Sequence, residues 1–216
     1  MILKDTKKRI FTALALLLIV TIIIKYDPLL LFFLIIFGIF SIVEFFNIIK
    51  KITKNKLFRL IYNLSFIIFI FIYCSLFFFF SGIIQLKIVL FILLFGCIAS
   101  DVGGLIIGKI FKGPKLTNIS PNKTISGALG SIFFSAIIMS MLFFYFTRGI
   151  NLNLLGVCVL TSIGCQLGDL FFSFLKRKAK IKDTGNILPG HGGVLDRLDG
   201  IFLGVPIGFI SINIFL

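Results

Sequence analysis

Nineteen residues near the end of the chain, KDTGNILPGHGGVLDRLDG from Lys182 to Gly200, hold three aspartates, an arginine, the only histidine and five glycines. Carboxylates at this density suit either general acid–base work or a hard cation such as Mg²⁺, which prefers oxygen ligands. Just upstream, CQLGDLFFSFLKRK sets Gln166, Asp169, Ser173 and Lys176 at i, i+3, i+7 and i+10, one stripe of a helix. Leu170, Phe171, Phe172 and Phe174 take the other sides, so the stripe must face protein or a water-filled cavity. Asp196 and Asp199 are three apart, and on a helix they would share a face. Two acidic faces from two helices make an oxygen-rich site, and the surrounding Lys and Arg favour a metal with a polyanion.

A single aspartate in an apolar run has simpler explanations, an interhelical hydrogen bond or an Asp–Lys pair. Five acidic residues (Asp101, Asp169, Asp183, Asp196 and Asp199) gathered on one face are harder to account for that way. In PGHGG, Pro189 to Gly193, the small glycines let backbone N–H groups approach phosphate oxygens, although a turn before a helix needs no more than the same residues. Neither GxxxxGK[ST] nor GxGxxG occurs, so the nucleotide-binding loops those motifs mark are excluded. His191 alone is a weak sign of a metal ligand or base, and loop hydrogen bonding explains it better.

The elements that carry these groups must cross a membrane. Of 216 residues 59% are hydrophobic and 14% charged, with a mean hydropathy of +1.16. Soluble domains run near 45–50% apolar and about 25% charged. A helical span needs roughly 20 apolar residues, which gives about seven candidates: 10–24, 29–49, 60–80, 83–107, 127–147, 154–175 and 201–216. The break at Lys25-Tyr26-Asp27-Pro28 would make the first two a tight hairpin. A signal peptide competes for residues 1–24, but no small-residue cleavage site follows. The runs are continuous and too long for barrel strands, so the fold class is all-α, a polytopic helical membrane protein. It divides at most into N-terminal spans, 1–99, and a C-terminal region, 100–216, within one membrane unit. Cys74, Cys97, Cys158 and Cys165 lie in apolar runs without CxxC spacing and read as buried small hydrophobes.

The net charge of +14 follows from topology and does not require nucleic acid. With the N-terminus inside, 19 of the 22 basic residues fall on the cytosolic side, and only Lys25, Lys87 and Arg148 fall outside. The excess also suits anionic headgroups, so membrane lipids are expected partners. The polar loops 108–126 and 176–200 then face the cytosol together.

With those residues in hand, SFLKRKAKIKDTGNILPGHGGVLDRLDG resembles the C-terminal signature of phosphatidate cytidylyltransferases, the CDP-diacylglycerol synthases. It matches through Ser173, Lys176, Arg177, Lys182, Asp183, Pro189, His191, Gly192, Gly193, Asp196, Arg197 and Asp199. QLGDL and SDVGGLIIGKIFKGPKLTNISPNKT are also similar to the family, so the likeness covers roughly residues 100–200. Where the family usually carries Trp-Glu-Gly after Lys-Thr, this chain has Ile125, Ser126 and Gly127.

The resemblance implies a reaction of CTP with phosphatidate at the cytosolic face of the inner membrane, giving CDP-diacylglycerol and pyrophosphate. It implies Mg²⁺ held by Asp169 and Asp196, with a second, monovalent cation such as K⁺, and it leaves room for a homodimer. Asp183 and Asp199 would support the ligands, and His191 belongs to the same catalytic group. Ser173, Lys176 and Arg197 would contact phosphate. Lys115, Ser120, Lys123 and Thr124 would line the nucleotide or lipid-phosphate pocket, joined by Asp101, Arg177, Gly192 and Gly193. A CTP-dependent polyprenol or dolichol kinase is the related alternative. An ion-coupled transporter is the alternative from another class, though its charges would lie nearer the midplane on broken helices.

Overall fold

A computed structural model describes residues 26–117, 119–121, 123–149, 152–185, 187 and 192–215. The helices are α1 (Asp27–Ile52), α2 (Lys56–Ser81), α3 (Ile84–Phe111), α4 (Ile125–Thr147), α5 (Asn153–Lys178), the four-residue α6 (Leu195–Leu198) and α7 (Ile201–Phe215). Six helical segments, the last running Leu195–Phe215, are long and apolar enough to cross a membrane. Six of the seven expected spans are therefore present, and the seventh, 10–24, lies outside the described residues. Among the described residues the fold is all-α, and the chain is a multi-pass membrane protein. A 26-residue helix reaches about 39 Å, more than the roughly 30 Å hydrocarbon core. The observed ends therefore take in charged residues that the apolar runs left out.

The described residues fall into two compact units. One is drawn from Met1–Ile84 with Leu175–Arg197, the other from Gln85–Phe174 with Leu198–Leu216.

In the first unit, Pro28 opens α1, and Lys50 and Lys51 in its last turn complement the helix dipole. Three residues later Asn55 caps α2, its side chain accepting from the Leu57 N–H at 2.9 Å. This short connection folds α1 against α2. Phe45 stacks on Phe66 at 3.9 Å between ring centroids, and Gly38 lets Ile70 and Cys74 approach. The outward faces stay greasy, with Phe71 at 71% and Phe79 at 66% exposure. Such a surface would aggregate in water and is normal against lipid.

In the second unit, glycines bring helices together. A side chain on Gly103 would meet the Gly130 carbonyl oxygen at 2.7 Å, and one on Gly127 would meet the Gly104 carbonyl oxygen at 2.9 Å. Small residues at such crossings allow the close backbone approach that packs helices in lipid. Buried hydroxyls find partners, as they must without water: Ser100 Oγ lies 2.9 Å from Ser162 Oγ, and Thr161 donates to the Val157 carbonyl at 2.7 Å. Gly204 and Gly208 of α7 make room for Cys97, Cys165, Leu93 and Thr161. All four cysteines are free, and Cys97, Cys158 and Cys165 are buried, as their apolar surroundings predict.

Candidate active site

Among the described residues a carboxylate–lysine pair is found in each unit. In the second unit, the connection from α3 to α4 closes as a small hairpin. Lys115 bridges to Thr124, the Leu116 N–H donates to the Lys123 carbonyl at 2.8 Å, and the Ile125 N–H donates to the Pro114 carbonyl at 2.9 Å. Thr124 then caps α4, its hydroxyl accepting from the Gly127 N–H at 3.1 Å. Ser126, where the family's glutamate is missing, accepts from the Gly113 N–H at 3.2 Å and lies 3.0 Å from Thr124 Oγ1. A hydroxyl thus ties down the loop at that position.

The hairpin delivers Lys123 to α5, where its ammonium donates to Asp169 Oδ2. One turn further on, Ser173 donates to Asp169 Oδ1 at 3.4 Å. Gln166, one turn back, donates to the Ala128 carbonyl at 3.2 Å and to Ser162 Oγ at 3.3 Å. The upper part of the stripe therefore faces protein as expected, while Leu167, Phe171 and Phe174 are exposed. Asp101 is exposed and accepts from the Cys165 thiol at 3.5 Å. Ser120 passes its carbonyl to the Lys123 N–H at 3.0 Å.

Asp199 departs from the sequence expectation. It lies in the turn beyond α6, not on a helix with Asp196, and is buried while accepting from the Gly200 N–H at 2.9 Å. Helix α6 ends at Leu198, and the turn at Asp199 and Gly200 separates it from α7.

In the first unit, Lys176 donates to Asp196 Oδ1 at 2.7 Å. The other oxygen, Oδ2, takes the Thr184 N–H at 2.8 Å, the Thr184 hydroxyl at 3.0 Å and the Gly193 N–H at 3.1 Å. Beside them lies Glu44 of α1, only 2% exposed. Its Oε1 accepts from the Val194 N–H at 3.0 Å, and its Oε2 from the Leu195 N–H at 2.9 Å and the Thr184 hydroxyl at 2.6 Å. These groups satisfy a carboxylate inside an apolar helix and, in the same contact, the free N–H groups at the start of α6. Gly192 adopts φ 82°, the left-handed region that favours glycine. Arg177, Asp183, Arg197 and Lys115 are exposed. Pro189 and His191 lie outside the described residues.

Both aspartates proposed as metal ligands are thus held by lysine, the Asp–Lys pairing that a lone aspartate already suggested. Among the described residues no three of His, Cys, Asp and Glu come together. Each carboxylate taken by itself suits Mg²⁺, which commonly takes one or two carboxylates and leaves its other positions to water and substrate phosphates. Asp169 is the readier ligand at 29% side-chain exposure. Asp196, at 8%, would have to yield Lys176.

Glu44 and Thr184 are the residues that motif reading passed over. A signal was present: Glu44 is the only glutamate in the chain and sits inside an apolar span, where a charge costs roughly 2.5–3.5 kcal/mol at the centre unless partnered.

Among the described residues the chain is an all-α, multi-pass membrane protein that carries Asp–Lys pairs beside its polar loops. The model of the Cytidylyltransferase family matches residues 43–215, and the chain belongs to that family. The match begins one residue before Glu44, far upstream of residues 100–200. A phosphatidate cytidylyltransferase of Rickettsia bellii (strain RML369-C) is 42% identical over 137 residues, 58% of this chain and 58% of the relative. One from Rickettsia typhi (strain ATCC VR-144 / Wilmington) is 45% identical over 139 residues, 59% and 60% of the two chains. One from Staphylococcus aureus (strain COL) is 45% identical over 113 residues, 50% of this chain and 42% of the relative. The aligned stretch therefore spans less than two thirds of each of these relatives.

Proposed function

We propose that this chain is a phosphatidate cytidylyltransferase, converting CTP and phosphatidate to CDP-diacylglycerol and pyrophosphate at the cytoplasmic face of the inner membrane. The observation that carries the reading is the family match over residues 43–215, together with the names of the relatives. Those names favour neither a polyprenol kinase nor a transporter.

The chemistry suits the residues. A phosphatidate phosphate oxygen is already anionic, so no base need activate it. It forms a bond to the α-phosphorus of CTP as the α–β anhydride bond breaks, and the electron pair leaves with pyrophosphate. The barrier lies in bringing two polyanions together and stabilising charge on the leaving group, which preorganised cations do well. Lys123 and Lys176 are such cations, each held ready by an aspartate. Ser173 and Arg197 are further proposed phosphate contacts, and Lys115 and Thr124 belong to the nucleotide side. Asp169 and Asp196 are the proposed Mg²⁺ ligands, and the ion when bound supplies charge neutralisation at phosphoryl oxygens. Were Asp169 or Asp196 to hold such an ion, Lys123 or Lys176 would be available to contact phosphate. The acyl chains stay in the bilayer and enter between helices.

Purified protein should release pyrophosphate from CTP only when phosphatidate is present. Transfer of phosphate to an isoprenoid alcohol with release of CDP would assign the kinase activity instead.

A further inference from the structure

The Glu44 carboxylate grips both arms of the signature loop. Thr184 lies on the incoming arm, Val194 and Leu195 on the outgoing arm, and all three donate to it within 3.0 Å. The loop glycines are cut to fit. A Cβ on Gly185 would sit 2.7 Å from Glu44 Oε1, and one on Gly193 would collide with the Glu44 carboxylate and the Thr184 hydroxyl. Thr184 also touches Asp196, through its N–H and through the same hydroxyl. That hydroxyl has one proton and two carboxylate neighbours, at 2.6 and 3.0 Å. Whatever moves Glu44 therefore moves the group that orients Asp196.

We infer that Glu44 is a positioning residue for the reaction, fixing the signature loop and, through Thr184, the orientation of the Asp196 carboxylate. This rests on the cytidylyltransferase reading above. Glu44 touches no reacting atom and acts only through the loop.

Amide chemistry makes Glu44→Gln a sharp test. If the new NH₂ takes the Oε1 position, it confronts the Val194 N–H, donor against donor. If it takes the Oε2 position, it confronts the Leu195 N–H. Either orientation loses a bond, so glutamine cannot substitute, and Glu44→Asp is one methylene too short to reach both arms. Thr184→Ser keeps the hydroxyl, whereas Thr184→Val removes it.

The experiment uses the full chain in detergent, with CTP and phosphatidate for kinetics and hydrogen exchange for the loop. Glu44→Gln should lower kcat by about 10²-fold, the scale of a roughly 1 Å misplacement, with KM for CTP changed by less than about threefold. Amides of Thr184, Val194 and Leu195 should exchange at least about tenfold faster while those within α2 do not change. Thr184→Ser should keep kcat within about threefold, and Thr184→Val should lose about tenfold.

An equally active Glu44→Gln protein with unchanged loop protection would overturn the inference. So would a general loss of protection through α1 and α2 with kcat per folded molecule intact, which marks a merely structural residue. If Glu44→Gln does not fold, the two threonine variants decide, and equal kcat in both overturns the role. If the wild-type protein makes no CDP-diacylglycerol, the proposed activity is wrong, and loop exchange still tells whether Glu44 holds the loop.

Discussion

Lys176 and Asp196 form an ion pair of 2.7 Å with side chains only 12% and 8% exposed, bringing a lysine at the end of α5 onto the signature loop. Removing one partner of a buried pair leaves the other charge stranded, at a cost of roughly 3–5 kcal/mol. In Lys176→Met, Asp196 keeps the Thr184 and Gly193 N–H donors, so the loss should sit at the lower end, about 3 kcal/mol. Adding Asp196→Asn should recover part of it, because the amide oxygen can serve those two N–H groups while its NH₂ no longer faces a lysine. Denaturation of the single and double variants in one detergent checks this. A double variant less stable than Lys176→Met would contradict it.

Asp169 and Asp196 should respond differently to the same change. Asp169→Asn leaves Lys123 at 26% exposure, where water can receive it, so yield and thermal stability should barely move. Turnover should fall by roughly 10³, since a bound metal contributes several kcal/mol of transition-state stabilisation and each 1.36 kcal/mol is tenfold in rate. Raised Mg²⁺ should restore it only in part. Asp196→Asn must set its NH₂ against either Lys176 or the Thr184 and Gly193 donors, so it should lose stability as well as turnover. Asp5→Asn, in the basic stretch at the start of the chain, is the control. Near-normal turnover and Mg²⁺ dependence in Asp169→Asn would remove that residue from the metal site.

The fold was readable because apolar run length alone marks membrane helices, and each described span lies within a few residues of its predicted edges. A lysine partner for Asp169 was also within reach, since a carboxylate in an apolar run demands a donor, whereas Asp196 lies in a polar stretch that makes no such demand. Glu44 was not within reach. Its partners are 140 to 151 residues away, in a loop where Gly185 and Gly193 clear space for that carboxylate. Helix α6 was invisible for another reason. Four residues are too few to carry a periodicity, so the spacing of Asp196 and Asp199 gave no sign that the helix ends at Leu198 between them.

The glycines between α3 and α4 give a stability prediction independent of chemistry. Gly103→Val would drive a branched side chain into the Gly130 carbonyl and Phe134. Overpacking of this kind costs about 1–3 kcal/mol, and it should lower the thermal midpoint in detergent. Gly149→Ala, whose added carbon meets nothing nearer than 3.9 Å among the described residues, should match the parent. Equal midpoints for Gly103→Val and Gly149→Ala would mean that the helices do not pack through this contact.

Orientation is the remaining prediction, and it decides whether the site can reach CTP. The sequence places 19 of 22 basic residues on one side when alternate connections are assigned to the cytosol, and basic residues in short loops are retained there. The last turn of α5 and the segment after it carry Lys176, Arg177, Lys178, Lys180 and Lys182, whereas the connection before α5 has Arg148 as its only basic residue. A reporter active only in the cytosol should therefore work when fused after Lys182 and fail when fused after Asn153. The intervening helix is 26 residues long and crosses once, so the two fusions must differ whichever way the chain inserts. The opposite pattern would put Lys176 and the signature loop outside the cell membrane. A CTP-dependent activity would then lack its nucleotide, and the proposed function would fall with the topology.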